Sequence, residues 1–473
     1  MDKKATIFFL LAGLLSVIII INRNAILYGF DSMRSTFYDI SSIAQSQLDD
    51  NQIKKKTLYK KTYSSLPSYL FQSGPFLYVK VAKNTSIRKA AESIIQYTEH
   101  YRLYNVIKNL KKFNNIKGHR APRKMTLIYP GIISSFTIDP LSQKPEKVPY
   151  TSGIYLTGTN AGSSKFYSSI KNLKSKGINA VVFDIKDITG IINFKSSLPE
   201  VKKYKTSKNR TIHNLPLLIK KLKKHGIYSI ARIAVFRDHR MVRRNSYFAI
   251  HSKRTGDIWN KYSKELWCDP TNKKVQDYNI KLAIEVANMG VNEIQFDYIR
   301  FPTVGNLRDA KFRYDFGPMK KEKAIAHFLK RSYREMKKRK TFLSIDIFGV
   351  VAWNKKVDII KTGQRIQLLA KYCDVISPML YPSHFSDDFD NNADPRVDSY
   401  YYIFTGSKKV RKLGGKKIII RPWLQAFKWR VNNYNTKYIS DQMKGSDDGS
   451  GHGYLFWNAR NDYDMVYKAL SNP

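Results

Sequence analysis

The sequence predicts an α/β protein whose main part is a (β/α)8 barrel, preceded by a small α+β module and an N-terminal membrane anchor. Two observations predict the barrel. Eight short β-rich segments alternate with amphipathic helical segments after residue 151. Several of the helical segments end in a glycine before the next strand, as at Gly177, Gly226 and Gly290. A third observation, an uncharged apolar run near the start of the chain, predicts the anchor.

The apolar run of residues 5–21 follows Lys3 and Lys4 and precedes Arg23. Its length is at the short end for a membrane span, and no cleavage site with small residues follows it. We therefore predict a signal anchor in residues 1–22, with a cleaved signal peptide as the alternative. The N-terminal lysines favour a body that lies outside the cytoplasm, in the periplasm or at the cell surface.

Two short regions separate the anchor from the barrel. Residues 23–76 are polar and basic, which predicts a stalk. Residues 77–135 predict a strand, two helices and a closing strand, with Asn84 or Thr85 capping the first helix. This order resembles the LysM module, which binds glycans that contain N-acetylglucosamine, although the usual Gly-Asp-Thr is missing. A small structural α+β domain without a ligand is the alternative.

The amino-acid composition limits which binding partners can be expected for this protein. The chain has 83 Lys and Arg against 37 Asp and Glu, a net charge of +46. Such a charge suits an anionic partner, but the basic residues are spread along the chain, which favours an ordinary solvated surface. We expect no nucleic-acid partner, because the predicted anchor places the protein at a membrane. Cys268 and Cys373 form no C-x-x-C pair and there is no H-E-x-x-H, so we predict neither a metal nor a cofactor.

The predicted barrel occupies residues 151–473. Its eight β-rich segments are residues 153–158, 180–185, 228–236, 293–301, 342–349, 374–382, 417–427 and 453–459. An open doubly wound sheet is the alternative, and it would need a glycine-rich phosphate loop after the first strand. The segment GTNAGSSK lacks the spacing of such a loop, so the barrel is favoured.

Catalytic residues of such barrels lie at the carboxyl ends of the strands. The fourth segment ends in a run that begins with Asp297, and the fifth carries Asp346. Two carboxylates on neighbouring strands suit glycoside hydrolysis, which needs an acid and a nucleophile or base. The alternative is that both carboxylates form buried ion pairs with Arg232 and Arg300 that hold the mouth of the barrel.

The other strand ends carry polar and aromatic side chains that would line a substrate cleft. The predicted substrate-binding residues are Asp184, Lys186, Arg232, Arg300, Tyr381, His384, Trp423, Gln425, Trp457 and Asn458. Tyrosine and tryptophan rings can stack on sugars, although a single tryptophan at a strand end can equally be core packing. The two arginines would also hold the geometry of the carboxylates.

A series of motifs adds a family resemblance. The strings FDIKD, ARIAVFRD, WCDP, EIQFDYIRFP, SIDIFG, ISPMLYPSH, RPWLQAF and LFWNARN occur in this order. Over residues 152–470 the chain resembles a bacterial family catalogued as a glycosyl hydrolase domain of unknown function, a barrel distantly similar to the α-amylase and α-galactosidase groups. The resemblance implies that Asp297 is the nucleophile and that a later strand supplies the general acid, for which Asp346 is the natural candidate. The sequence after Asp187 departs from the family pattern, which puts the role of Asp187 in doubt.

The sequence thus predicts a membrane-anchored glycoside hydrolase that acts outside the cytoplasm on a polysaccharide or peptidoglycan. A glycan-binding barrel without catalysis is the alternative. An intact carboxylate pair in a cleft would favour the enzyme, and a pair capped by arginines would favour the binding protein.

Overall fold

The computed structural model describes residues 67–73, 76–130, 144–313, 321–390 and 393–471. The predicted anchor and most of the predicted stalk lie outside the described residues. Within the described ranges no helix combines the length and the apolar character needed to cross a bilayer. The described strands and helices all belong to one compact unit, residues 69–473.

The small module has three antiparallel strands in the order β1-β2-β3 and two helices. The strands are β1 (Leu70–Ser73), β2 (Phe76–Val81) and β3 (Met125–Pro130), and the helices are Ile87–Ile94 and Leu103–Phe113. Alternation along β2 buries Leu77, Val79 and Val81. The elements from β2 onward therefore have the order that the sequence indicates, with one additional strand before them.

The module packs against loops that follow the first two strands of the barrel. Asn214 is buried, and its amide donates to the carbonyl oxygens of Ile95, Thr98 and His100 at 2.8, 3.2 and 3.1 Å. The Tyr101 hydroxyl donates to the carbonyl oxygen of Ala161 at 2.5 Å. These bonds fix the module to the side of the barrel on which the catalytic residues are expected.

The remaining strands confirm the predicted barrel. Its parallel strands are β4 (Thr151–Leu156), β5 (Ala180–Lys186), β6 (Tyr228–Ala234), β8 (Glu293–Asp297), β10 (Phe342–Phe348), β11 (Val375–Met379), β12 (Ile419–Ile420) with β13 (Trp423–Gln425), and β14 (Gly453–Trp457). Pairing of β14 with β4 and of β10 with β11 closes the sheet. The seventh strand is divided into β12 and β13 at Arg421 and Pro422, and proline has no N–H for the ladder. A two-stranded ribbon, β7 (His251–Ser252) with β9 (Ala310–Lys311), extends the loops after the third and fourth strands.

Helices surround the barrel. They span Gly158–Ala161, Ser164–Ser169, Pro199–Tyr204, Leu215–Lys224, His239–Arg244, Lys273–Ala287, Lys321–Lys338, Lys356–Thr362, Ile366–Leu369, Ser399–Gly414, Thr436–Asp448 and Asp464–Ser471. The glycines that the sequence marks before strands, Gly177, Gly226 and Gly290, have φ values of +74°, +64° and +90°. Only glycine adopts this left-handed region without a steric cost, which explains why these turns use it.

Two apolar layers result from strand alternation. The outward-facing strand residues pack on the helices, and the inward-facing ones, such as Val182, Ile230 and Leu455, fill the barrel. Below the site, the buried Glu293 carboxylate pairs with Arg421 and accepts a hydrogen bond from the Tyr228 hydroxyl at 3.1 Å. This network closes the lower part of the barrel and leaves the opposite end for the site.

Candidate active site

Asp297 and Asp346 lie side by side at the carboxyl end of the barrel. Strands β8 and β10 pair in parallel with Ile345 opposite Phe296, so the next residue of each strand comes at the same level. Both carboxylates point into the barrel, because Asp297 contacts Arg232 and Asp346 contacts Trp423. The neighbouring position that the sequence indicates for the two carboxylates is therefore present in the structure.

Asp297 is held as a carboxylate anion would be. Its Oδ2 accepts hydrogen bonds from Nη2 and Nε of Arg232 at 2.6 and 3.1 Å. Its Oδ1 accepts one from the backbone N–H of Tyr298 at 2.5 Å. Tyr298 has a φ of +53°, a left-handed conformation that is costly for a residue with a side chain. The local backbone is thus bent so that its N–H reaches the preceding carboxylate.

Arg232 connects Asp297 to a second acid. Its Nη1 donates to Oδ1 of Asp184 at 2.5 Å, and the Tyr155 hydroxyl donates to Oδ2 of Asp184 at 2.6 Å. The guanidinium also lies over the rings of Tyr155 and Trp457, which stack on each other with centroids 4.0 Å apart. Burial opposes the Arg232 charge, but the carboxylates of Asp184 and Asp297 outweigh it and raise the pKa of Arg232.

Asp346 has a different environment. Its Oδ1 accepts a hydrogen bond from Trp423 Nε1 at 2.8 Å, and its buried Oδ2 has no hydrogen-bond partner among the described residues. Burial, followed by the negative charge of Asp297, raises the pKa of Asp346 well above its ordinary value of 3.8. The pKa of Tyr381 is also raised, by burial and then by the charges of Asp346 and Asp297. The two carboxyl groups of the pair therefore differ in their contacts: Asp297 accepts hydrogen bonds from Arg232 and from a backbone N–H, whereas Asp346 accepts one from Trp423.

A cleft of about 420 Å³ opens above these groups, within the range of small-molecule sites. Its lining is mostly aromatic and comes from the third to the eighth strand and the loops after them. The lining residues are Arg232, Asp297, Tyr298, Phe348, Gly349, Val350, Met379, Tyr381, His384, Phe385, Trp423 and Trp457. Of the predicted residues, the cleft brings together Asp297, Arg232, Tyr381, His384, Trp423 and Trp457. His384 contacts the ring of Trp429, and burial lowers its pKa.

Three predicted residues lie behind this lining. Asp346 is buried next to Trp423 and is not among the residues that line the cleft. Asp184 is buried beneath it and contacts Arg232 and Tyr155, as described above. Arg300 packs behind Tyr298 and Phe348 and has no ion pair with Asp297, so Arg232 alone of the two arginines holds that carboxylate.

Lys186 does not reach the cleft. The register of β5 against β6 shifts between Asp184 and Lys186, and this irregularity turns the lysine toward the helix layer. Its Nζ pairs there with Asp238 at 2.8 Å and donates to Asn279 in helix Lys273–Ala287 at 3.0 Å. The structure therefore places Lys186 among the contacts that join the barrel to its helices.

Gln425 and Asn458 also face away from a substrate. The Gln425 amide accepts from the backbone N–H of Ser383 and donates to the carbonyl oxygens of Phe427 and Trp429. Asn458 donates to the carbonyl oxygen of Ala426 at 2.6 Å. Both side chains hold the loops that carry the lining residues, which is a positioning role.

Sequence reasoning missed Tyr155 and Phe348. Tyr155 orients Asp184 and stacks on Trp457, and Phe348 lines the cleft. A signal for Tyr155 was present, because alternation in GIYLTG places it opposite to Ile154 and Leu156, which pack on the helices. In the described ranges, no group of three or more His, Cys, Asp or Glu side chains is placed to hold a metal ion.

The fold and the site define a (β/α)8 barrel with a carboxylate pair at its mouth, and comparison with known proteins gives its family. Residues 153–463 match the family described as "Putative glycosyl hydrolase domain", and the chain belongs to that family. The match lies within the barrel, and the comparisons do not relate the module of residues 77–135 to LysM. No curated protein sequence matches the chain significantly.

The chain is also similar to solved structures. The PgaB (BpsB) glycoside hydrolase domain from Bordetella bronchiseptica is 12% identical, with a TM-score of 0.50 over 68% of this chain and 98% of that one. A hypothetical protein from Ruminiclostridium thermocellum is 31% identical over 41% of this chain and 96% of its own, with a TM-score of 0.36. The spore cortex-lytic enzyme SleL from Bacillus megaterium is 10% identical over 83% and 85%, with a TM-score of 0.39. The first of these supports the barrel fold.

Proposed function

We propose that the barrel hydrolyses glycosidic bonds of a polysaccharide, with Asp297 as nucleophile and Asp346 as general acid and base. The observation that carries this proposal is the contrast between two adjacent carboxyl groups. One accepts hydrogen bonds from a guanidinium and a backbone N–H, and the other is buried with a raised pKa. Pairs of acids whose environments differ in this way can divide the roles of acid and nucleophile at neutral pH.

Asp297 suits the nucleophilic role because it lines the cleft and is stabilised as an anion. Arg232 contacts only its Oδ2, while Oδ1 accepts a single backbone hydrogen bond. In the reaction, an oxygen of Asp297 would form a bond to the anomeric carbon as the bond to the leaving oxygen breaks.

Asp346 suits the role of proton donor because burial and the charge of Asp297 raise its pKa, which favours the protonated form. In the first step the proton would pass to the leaving oxygen, and in the second the carboxylate would take one from the attacking water. The buried Oδ2, which has no hydrogen-bond partner among the described residues, is the atom for this transfer, since Oδ1 accepts a hydrogen bond from Trp423.

The aromatic lining suits a sugar. Trp423 and Trp457 meet edge to face with centroids 5.6 Å apart, and Tyr381 lies beside both carboxylates. Such rings offer apolar faces and polar edges to a saccharide. A polysaccharide or peptidoglycan is the substrate class we propose, acted on outside the cytoplasm by a protein anchored through residues 1–22.

A glycan-binding barrel without catalysis is the second candidate. The observation that favours it is the double contact of Arg232 on Asp297, since capping by arginine neutralises a nucleophile. We favour the enzyme because Asp346 makes no ion pair with an arginine of the described ranges and Asp297 still faces the cleft.

The proposal is tested by incubating the purified full chain with a panel of polysaccharides, including chitin, peptidoglycan, xylan, and α- and β-glucans, and measuring the release of reducing ends. We expect release from at least one of them, abolished by Asp297→Asn. Tight binding of a glycan by the wild-type protein without any release would support the second candidate.

A further inference from the structure

Arg300 is a buried cation that pairs with none of the carboxylates in the described ranges. Only 8% of its surface is exposed. Among the described residues, the hydrogen bond found for it is a single one, from Nη1 to the carbonyl oxygen of Phe301 at 3.0 Å, and none of the carboxylates is within ion-pair distance. A charge that is removed from water in this way is costly unless something compensates it.

Three aromatic rings surround the guanidinium. Its Cζ lies 4.0 Å from the ring centroid of Phe348, 4.7 Å from Trp267 and 5.4 Å from Tyr298. Phe348 and Tyr298 both line the cleft, so Arg300 lies against the cleft wall at the fourth and fifth strands. Its Nε and Nη2 are not among the fully buried side-chain atoms of the described residues that lack a hydrogen-bond partner, so they reach solvent. Cation–π contacts use the faces of these rings and leave most of the N–H groups of Arg300 without acceptors.

A second arginine flanks the same wall. Arg237 donates from Nη1 to the Tyr298 hydroxyl at 3.2 Å, and its Cζ lies 5.3 Å from the Tyr298 ring. The carboxylate that pairs with Arg237 belongs to Glu265, whose side chain is 54% exposed, so water weakens its compensation. Burial lowers the pKa of Arg300 to about 10, and the group is still charged at neutral pH. The wall behind Tyr298 therefore carries excess positive charge.

We propose that Arg300, assisted by Arg237, binds an oxyanion carried by the glycan on a sugar next to the bond that is cleaved. This inference rests on the proposed function, which places a glycan in the cleft, and it narrows the substrate class to acidic glycans. The planar fork of a guanidinium fits a carboxylate or a phosphate with two hydrogen bonds. Such an anion would supply the acceptors that the described residues do not. Tyr298 and Phe348 contact Arg300 and line the cleft beside Asp297, so the anion would lie near the reacting sugar.

The competing explanation is that the three rings alone compensate Arg300. In that case Arg300 has a structural role only, and an anionic sugar would bind no more tightly than a neutral one. The two explanations differ in one measurable property, the preference of the full chain for an acidic sugar over its neutral counterpart.

The experiment measures binding to the full chain by calorimetric titration with glucuronate, galacturonate and inorganic phosphate, each against glucose and galactose. We expect an acidic probe to bind at least about 10-fold more tightly than the neutral sugars, as for charge-assisted hydrogen bonds. The preference should weaken as sodium chloride is raised. Tighter binding of the uronates would identify a carboxylate as the recognised group, and tighter binding of phosphate would identify a phosphoryl group.

Substitutions of single arginines test whether Arg300 causes the preference for acidic sugars. Arg300→Met should abolish the preference, and Arg300→Lys should retain part of it, because lysine keeps the charge without the fork. Arg339→Met is the matched control: Arg339 pairs with Glu335 near the opposite end of the barrel and should leave the preference unchanged. If Arg300→Met does not fold, Arg237→Met at the partly exposed position tests the same wall and should reduce the preference. Equal affinity for acidic and neutral sugars, or an unchanged preference in the Arg300 and Arg237 variants, would overturn the inference.

Failure of this inference is distinguishable from failure of the proposed function. Hydrolysis of neutral glycans without any binding of anions would exclude the proposed anion site and support the proposed hydrolase activity. If the protein hydrolyses no glycan but binds anions in a way that depends on Arg300, the anion site is supported and the hydrolase activity is excluded.

Discussion

Arg232 donates two hydrogen bonds to one oxygen of Asp297, from Nη2 at 2.6 Å and from Nε at 3.1 Å. The same guanidinium donates to Asp184, so one cation fixes two acids of the barrel mouth. Asp346, level with Asp297 on the next strand, has no arginine partner within the described part of the chain, and burial raises its pKa. This difference between neighbouring carboxyl groups underlies the predictions on catalysis that follow.

The pH dependence of stability should reveal the raised pKa of Asp346. Because the folded protein holds this proton more tightly than the unfolded chain, the contribution to stability is complete below the unfolded value of 3.8 and is lost as pH rises through the folded pKa. Asp346→Asn removes that loss and keeps an acceptor for Trp423. The Tm of the variant minus that of the wild type should therefore increase with pH.

The matched control for this profile is Asp441→Asn, on a helix surface where Asp441 pairs with Lys437. Its Tm difference from the wild type should stay nearly constant over the same pH range. If the Tm difference between Asp346→Asn and the wild type is also constant with pH, the pKa of Asp346 is not raised in the folded protein.

The leaving group of the substrate should determine how much Asp346→Asn costs. An aryl glycoside with an acidic phenol departs without a proton, whereas a sugar hydroxyl needs one. We expect kcat/KM to fall by roughly 100-fold or more on a natural glycan and much less on an activated aryl glycoside. Equal losses on both substrates would assign the proton transfer to another group.

The buried network of Glu293, Arg421 and Tyr228 below the site should contribute to the stability of the barrel and not to catalysis. Glu293 and Arg421 are fully buried, and Glu293→Gln leaves the Arg421 cation without its partner. Breaking a buried pair costs about 3–5 kcal/mol, which should appear in the free energy of unfolding from urea titration. Tyr228→Phe removes a single hydrogen bond to the same carboxylate and should cost about 1 kcal/mol. A loss for Glu293→Gln no larger than that of Tyr228→Phe would contradict this role.

Asn214 should hold the small module on the barrel. Its amide donates to carbonyl oxygens at residues 95, 98 and 100, and its oxygen caps helix Leu215–Lys224 by accepting from Leu217 N–H. Asn214→Asp retains the cap and removes the donor, so amide hydrogen exchange should rise in residues 95–101 while the helix stays protected. Equal rises in both segments would mean that the cap, and not the docking, is the main role.

The sequence was sufficient for the barrel and for the carboxylate pair. Strand alternation decides which face a residue takes, and this was enough to bring Asp297, Asp346 and Arg232 into one interior. It was not enough for Lys186, because the irregularity in β5 depends on how β5 pairs with β6 and leaves no mark in FDIKD.

Loop residues were harder to assign. Gln425 and Asn458 stand at strand ends as a substrate ligand would, and their direction depends on which loop carbonyl groups lie near them. That information belongs to the packed loops and to no local pattern. Arg300 shows the same limit: its position next to the carboxylates suggested an ion pair, whereas the three rings and the Phe301 carbonyl oxygen are what it contacts.

The most direct test of the central claim compares Asp297→Asn with Asp184→Asn in the full chain, with hydrolysis and Tm measured on both. Each change removes one carboxylate from Arg232 and leaves the other, so the two variants should lose similar stability. We expect Asp297→Asn to lower kcat/KM by more than about 1000-fold, whereas Asp184→Asn should retain far more activity because Asp184 acts only through Arg232. Equal activity losses that follow the fall in Tm in both variants would contradict a catalytic Asp297 and identify it as a structural partner of Arg232.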